Sequence, residues 1–338
     1  MSARYYLYIA MTKVLLLGIG RWGANHLRVL SSLPIEFYVT DLDPKRLEGA
    51  RKLGIPDARI STNYKDFASI VDAAVIVTPA QTHFPLCKEF LDAGKDVFVE
   101  KPLTLIPDES KKLAELADKQ KRILQVGHIF RFDPATQWIR DAVQSGKFGR
   151  VNMMRGHFGG FKRPRNDSGV MFADGIHFVD LFNYVLNAVP KNVLAIHHDF
   201  MGRGMDDISL VSMEYETKYG NTWATVLNDY FIPGKFRDVT VVGEKLSAVC
   251  DYNVAQYKIK TYENHHVREG NDFKGVEGTM TQIETPPEEP LLAELRAFVK
   301  SIATREQPLA NGWAGFDSVR VLDAAMESAK TGQRVEIK

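Results

Sequence analysis

Apolar runs too short to be helices recur through the first third of the chain, and each is followed by a stretch with helical spacing. Residues 14–17, 36–40, 71–77, 96–102 and 123–127 read as strands. Residues 44–53, 84–93 and 110–119 read as helices, with Gly94 placed to stop the second. Strands alternating with helices at these intervals predict a parallel sheet covered on both faces. After about Arg131 the pattern changes to strands at 150–158, 193–201, 207–216, 221–232, 237–251 and 254–262. Turns such as Tyr219-Gly220-Asn221 and Pro233-Gly234 join them, and one strong helix, 175–187, interrupts them. Such a run predicts a largely antiparallel, open sheet in an α+β second domain. An acidic, proline-rich connector, 284–290, then leads to two amphipathic helices, 291–304 and 316–330. The expected division is 11–130 for an α/β domain and 131–338 for the second, whose last helices can pack back on the first.

The first apolar run breaks into Gly18-Ile19-Gly20-Arg21-Trp22-Gly23 before helical spacing resumes. In a strand–turn–helix of this form the first glycine makes the tight turn and the second lets the main chain approach a pyrophosphate. The third lets helix pack on strand, and the phosphates face a helix N-terminus. Asp41 ends the second predicted strand, where a carboxylate can accept bonds from a ribose hydroxyl. The same carboxylate repels a 2′-phosphate, which favours NAD over NADP; Arg46 can soften that preference. The plainer alternative is a turn of an unrelated parallel-sheet protein with Asp41 capping a helix. Ligands of parallel sheets bind at the carboxyl ends of the strands. Thr78, Pro79 and His83, and then Glu100 and Lys101, stand at two further such ends.

With 338 residues, 45% of them hydrophobic, the chain can build two cores. A formal net charge of +1 excludes a nucleic-acid partner attracted in bulk. No apolar stretch reaches the roughly 20 residues of a membrane span. Cys87 and Cys250 match no metal or redox spacing and read as buried thiols of a cytoplasmic, reducing compartment. His197-His198 and His265-His266 lack further ligands, so no metal is expected. The aromatic opening, residues 1–10, is too short in its apolar part for a signal peptide and reads as an extension ahead of Met11.

Taken together, the glycine turn, Thr78-Pro79 with His83, Glu100-Lys101-Pro102, Arg131-Phe132 with Pro134, and Gly175-Ile176-His177 with Asp180 carry a resemblance. From Lys13 onward the chain resembles the glucose-fructose oxidoreductase, inositol dehydrogenase and MocA superfamily. The resemblance implies a Rossmann domain, and a second domain whose open sheet serves homodimer or homotetramer contacts. It also implies chemical roles for Lys101 and His177. The family's aspartate four residues before the histidine is Ala173 here; the neighbouring acid is Asp174.

Oxidising a carbinol leaves a hydroxyl proton, which an imidazole can take near neutral pH. The ammonium of Lys101 can orient the hydroxyl and stabilise alkoxide charge, or share the proton transfer. By itself His177 reads first as a first-turn helix histidine bonded to backbone, and the motif around it turns the reading to chemistry. Asp174 can cap that helix or orient His177. The basic loop Phe161-Lys162-Arg163-Pro164-Arg165 reads as a solvated charged loop or, more sharply, as an anion grip through Arg163 and Arg165; Arg131 is a further substrate-binding candidate. The expectation is an NAD-dependent oxidoreductase of a sugar, nucleotide sugar, inositol or related polyol. The alternatives are a dihydrodiol or biliverdin-type reductase, an NAD-dependent glycosidase of the same fold, and a non-catalytic dinucleotide-binding sensor.

Overall fold

A computed structural model of the chain describes residues 12–338; the expected extension 1–10 lies outside the described residues. The first strand, β1 (Lys13–Leu17), sends alternate side chains to opposite faces. Val14 and Leu16 enter one core, Leu15 and Leu17 the other, and all four are buried. Around it lie α1 (Gly23–Leu30), β2 (Glu36–Thr40), α2 (Pro44–Lys52), β3 (Ile60–Ser61), α3 (Lys65–Ala68), β4 (Ala73–Ile76), α4 (His83–Asp92), β5 (Asp96–Val99), α5 (Pro107–Gln120) and β6 (Leu124–Val126). The strands form one sheet, β3-β2-β1-β4-β5-β6, with every pair parallel.

The second unit opens with α6 (Pro134–Gln144), β7 (Val151–Gly160), α7 (Ile176–Leu186), β8 (Asn192–His198), β9 (Ile208–Thr217) and β10 (Gly220–Asp229). It continues through β11 (Lys235–Gly243), β12 (Ser247–Asp251), β13 (Ile259–Tyr262), the exposed hairpin β14 (His265–Glu269) and β15 (Asp272–Val276), and β16 (Met280–Ile283). Its sheet runs β16-β13-β12-β11-β7-β10-β9-β8, and β7 and β10 are the parallel pair in an otherwise antiparallel order. Helix α7 packs hard on β7: a Cβ at Gly156 would come within 2.6 Å of Phe178. The core beneath the sheet joins Phe178, Phe182 and Val185 of α7 to Val211, Val226, Val239 and Val241 of the strands.

Two helices follow, α8 (Pro290–Thr304) and α9 (Gly312–Thr331), and the short strand β17 (Val335–Glu336) pairs with β8. The compact units are not contiguous in sequence. Among the described residues, 289–319 belong with 12–129, and 320–338 with 130–288. Leu291, Leu295, Phe298 and Ile302, one stripe of α8, join the core that holds Val14 and Leu16. Gln125 Nε2 donates to the Glu294 carbonyl at 2.9 Å, tying β6 to the same helix.

Several elements differ from the expected pattern. Residues 237–251 form two strands, because Glu244-Lys245-Leu246 turns the chain between β11 and β12. Helix α6 sits where the change of texture hid it. Asp133 caps it by accepting from the Ala135 N–H, and Pro134 occupies its first turn. Strands β14 and β15 are exposed almost throughout and so show no apolar alternation. Among the described residues no helix is long and apolar enough to cross a membrane.

Candidate functional site

The glycine turn leaves β1 with three different demands on its glycines. Gly18 has φ +93°, and a Cβ there would lie 2.7 Å from the Val77 carbonyl oxygen. A Cβ at Gly23 would lie 2.1 Å from the carbonyl oxygen of Gly18. At Gly20 the nearest atom, of Arg46, is 4.0 Å away, so this glycine faces open space. The N–H groups of Gly20, Arg21 and Trp22 make no hydrogen bond among the described residues. Donors presented at a helix start beside an open glycine suit a pyrophosphate.

Asp41 is buried at the end of β2, where its Oδ2 accepts the Ile19 N–H at 2.6 Å and its Oδ1 the Asp43 N–H at 2.9 Å. Arg46 Nη1 stands 3.5 Å from the same Oδ2. Oδ1, with one bond, keeps a lone pair for a ribose hydroxyl. These residues fit a dinucleotide: Gly18 to Gly23 would hold its phosphates and Asp41 its ribose.

Glu100 ends β5 in a cage of its own. Its Oε1 accepts from Trp22 Nε1 at 2.7 Å and from His26 Nε2 at 2.8 Å, and its Oε2 accepts the Lys101 N–H at 3.2 Å. Gly127 makes room, since a Cβ there would stand 2.9 Å from the carboxyl carbon. Burial opposes the charge on Glu100, but His26, Lys101 and Trp22 outweigh it and hold the carboxyl below the ordinary glutamate range. Both carboxylate oxygens of Glu100 are thus bonded within the protein, and they fix the strand end that carries the half-buried Lys101.

His83 is held at this edge by backbone carbonyls. It is 1% exposed, with Nδ1 2.7 Å from the Pro102 carbonyl oxygen and Nε2 2.9 Å from that of Thr78. Burial pushes the imidazole below the ordinary histidine range. It fastens the loop after β4 to the loop after β5. Thr78 shares its hydroxyl with Thr82 at 2.6 Å, and Pro79 is exposed beside it. The Lys101–Pro102 peptide is cis.

In the second unit His177 lies in the first turn of α7. Its ring stacks on Phe158 with centroids 5.1 Å apart and meets Phe130 edge-on at 5.3 Å. Asp174 sits in a wide helical turn, Met171–Gly175, and pairs with Lys162 at 2.6 Å. The start of α7 carries no side-chain cap, so of the two uses open to Asp174 the cap is not made. Arg165 pairs with Asp167 at 2.6 Å, while Arg163 is exposed.

Arg131, a candidate for substrate, is instead buried structure. It grips Asp180 through Nε at 2.9 Å and Nη2 at 2.7 Å and lies over the Tyr184 ring at 5.0 Å. His26 and Arg237 were not singled out as site residues from sequence, and Trp22, expected at the cofactor as part of the glycine turn, donates to Glu100 through its Nε1. For His26 the signal was available: a polar residue on the buried stripe of α1 needs a partner.

Comparison with known proteins decides the family. The pattern of the oxidoreductase family with an NAD-binding Rossmann fold matches residues 12–128, and that of its C-terminal alpha/beta domain matches residues 140–337. The chain belongs to the Gfo/Idh/MocA oxidoreductase family. Among its relatives is the scyllo-inositol 2-dehydrogenase (NAD(+)) of Bacillus subtilis, 28% identical over 95% of both chains. The UDP-N-acetylglucosamine 3-dehydrogenase of Acidithiobacillus ferrooxidans is 27% identical over 76% of this chain and 77% of its own. The solved myo-inositol 2-dehydrogenase of Lactobacillus plantarum shares the fold with a TM-score of 0.79 at 20% identity, covering 97% of this chain and all of its own. The first unit of this Gfo/Idh/MocA protein is therefore an NAD-binding Rossmann domain.

Proposed function

We propose that the chain is an NAD-dependent dehydrogenase that oxidises a secondary alcohol of a sugar, nucleotide sugar, inositol or related polyol, with Lys101 and His177 as its catalytic residues. The observation that carries this reading is the open cradle at Gly20 beside a buried Asp41, in a sheet whose β5 delivers Lys101 on a rigid, Glu100-anchored end. The names of the relatives support the substrate class. Bound NAD supplies a hydride acceptor. Lys101 orients the substrate hydroxyl and stabilises negative charge developing on its oxygen. His177 takes the hydroxyl proton, and its stacking on Phe158 limits how the ring can turn. A panel of sugars, nucleotide sugars and inositols, read by the absorbance of reduced nicotinamide, tests the reading. Lys101→Ala and His177→Ala should each lower kcat on the best substrate by about 100-fold or more. NAD binding with no turnover of any member would favour a sensor instead.

The outer face of the second-unit sheet supports a homodimer or homotetramer. Leu194, Ile196, Leu210 and Trp223, neighbours across β8, β9 and β10, are 40%, 57%, 44% and 49% exposed. Light scattering of Ile196→Lys against the parent chain checks it, with a smaller assembly expected for the variant. Two buried, unpaired thiols, Cys87 and Cys250, suit a reducing, cytoplasmic setting, which cell fractionation checks.

A further inference from the structure

Strand β11 carries an inward-facing row in which Val241 and Val239 are fully buried in the core. The next residue in that row is Arg237. It stands directly opposite Phe158 of β7, with its guanidinium carbon 5.1 Å from the Phe158 ring centroid. The His177 ring and the Lys162 ammonium also lie 5.1 Å from that centroid. One phenyl ring thus collects an imidazole and two cations.

The charges around this ring are unevenly matched. Lys162 has Asp174, Arg165 has Asp167, and Arg203 has Asp207 with Nε at 2.9 Å. Arg237 forms no side-chain hydrogen bond or ion pair among the described residues. Burial lowers its pKa, and the charge of Asp174 offsets this only in part. A half-buried guanidinium without an anion carries a desolvation cost that a bound anion would relieve. Its planar fork matches the oxygens of a carboxylate or a phosphate.

We propose that Arg237 binds an anionic substituent of the substrate, so that this enzyme acts on an acidic sugar or polyol in preference to a neutral one. The proposal rests on the dehydrogenase reading above and narrows its substrate class. Carboxylate and phosphate share the recognising chemistry, and the substrate panel separates them.

The test compares three arms with NAD: sugar acids such as glucuronate and gluconate, sugar phosphates and nucleotide sugars, and the neutral parent sugars and inositols. The parent enzyme should favour one anionic arm over its neutral counterparts by ten- to hundred-fold in kcat/KM, the range of a charge-assisted bond. Arg237→Gln should remove that preference mainly through KM, Arg237→Lys should restore part of it, and NAD binding should not change in either. Equal efficiency on neutral and anionic members, or an unaltered KM in Arg237→Gln, overturns the proposal and leaves the dehydrogenase reading standing. No turnover in any arm overturns both.

Discussion

The backbone N–H of Ile19 donates to Oδ2 of Asp41 at 2.6 Å, so the acid proposed for a ribose also clamps the turn proposed for a pyrophosphate. Asp41→Ser therefore acts twice. The KM for NAD should rise about tenfold or more as a charge-assisted bond is lost, and the NADP-to-NAD ratio of kcat/KM should rise with it. Steady-state kinetics with both cofactors, beside a melting curve, separates the two effects.

The glycines of the turn should fail in different ways. Gly23→Ala drives a Cβ into the Gly18 carbonyl, so both stability and NAD affinity should fall. Gly20→Ala meets nothing nearer than 4.0 Å in the protein and should melt near the parent, yet lose NAD affinity because the methyl occupies the phosphate side. Calorimetric titration with NAD and thermal melts of both variants check the contrast.

Glu100 makes a pH-dependent contribution. Its folded carboxyl is held below the ordinary glutamate value of about 4.3, so the stabilisation is complete above that value and is lost as pH falls through the folded one. Glu100→Gln should be destabilised by roughly 1.5–3 kcal/mol at neutral pH, and the gap to the parent should close below about pH 4. Melts across a pH series read this directly.

Arg131 and Asp180 form a buried pair whose side chains are 10% and 1% exposed. Arg131→Ala strands the carboxylate and should cost about 3–5 kcal/mol. The double change Arg131→Met with Asp180→Leu should recover most of that loss. Denaturant titration gives both values, and the KM of the surviving double variant should be unchanged if Arg131 has no part in binding.

Much of the first unit could be read from the chain because each step depends on neighbours in sequence. The run ahead of Gly18, the turn itself and Asp41 fall within one strand–helix–strand segment, where period and glycine spacing suffice. Glu100 and His83 were found as residues but not as partners, since their bonds to His26, Trp22 and Pro102 join parts of the chain far apart in sequence. Arg131 misled because a lone arginine in a loop gives no hint that Asp180 awaits it inside a helix. Arg237 was invisible for a related reason: only the register of β11 against β7 shows that it continues a core-facing row. Helix α6 was missed where two textures met, and the exposed hairpin because both its faces are wet.

Helix α8 closes the core behind β1, although it follows eight of the nine strands of the second sheet in the sequence. During synthesis the cofactor-binding half leaves the ribosome with the berth of Phe298 and Leu295 vacant, and it stays so until nearly all the chain has emerged. A gene fragment cut after β6 would inherit that apolar gap, so a minimal nucleotide-binding module from this protein needs residues 289–319 stitched back on.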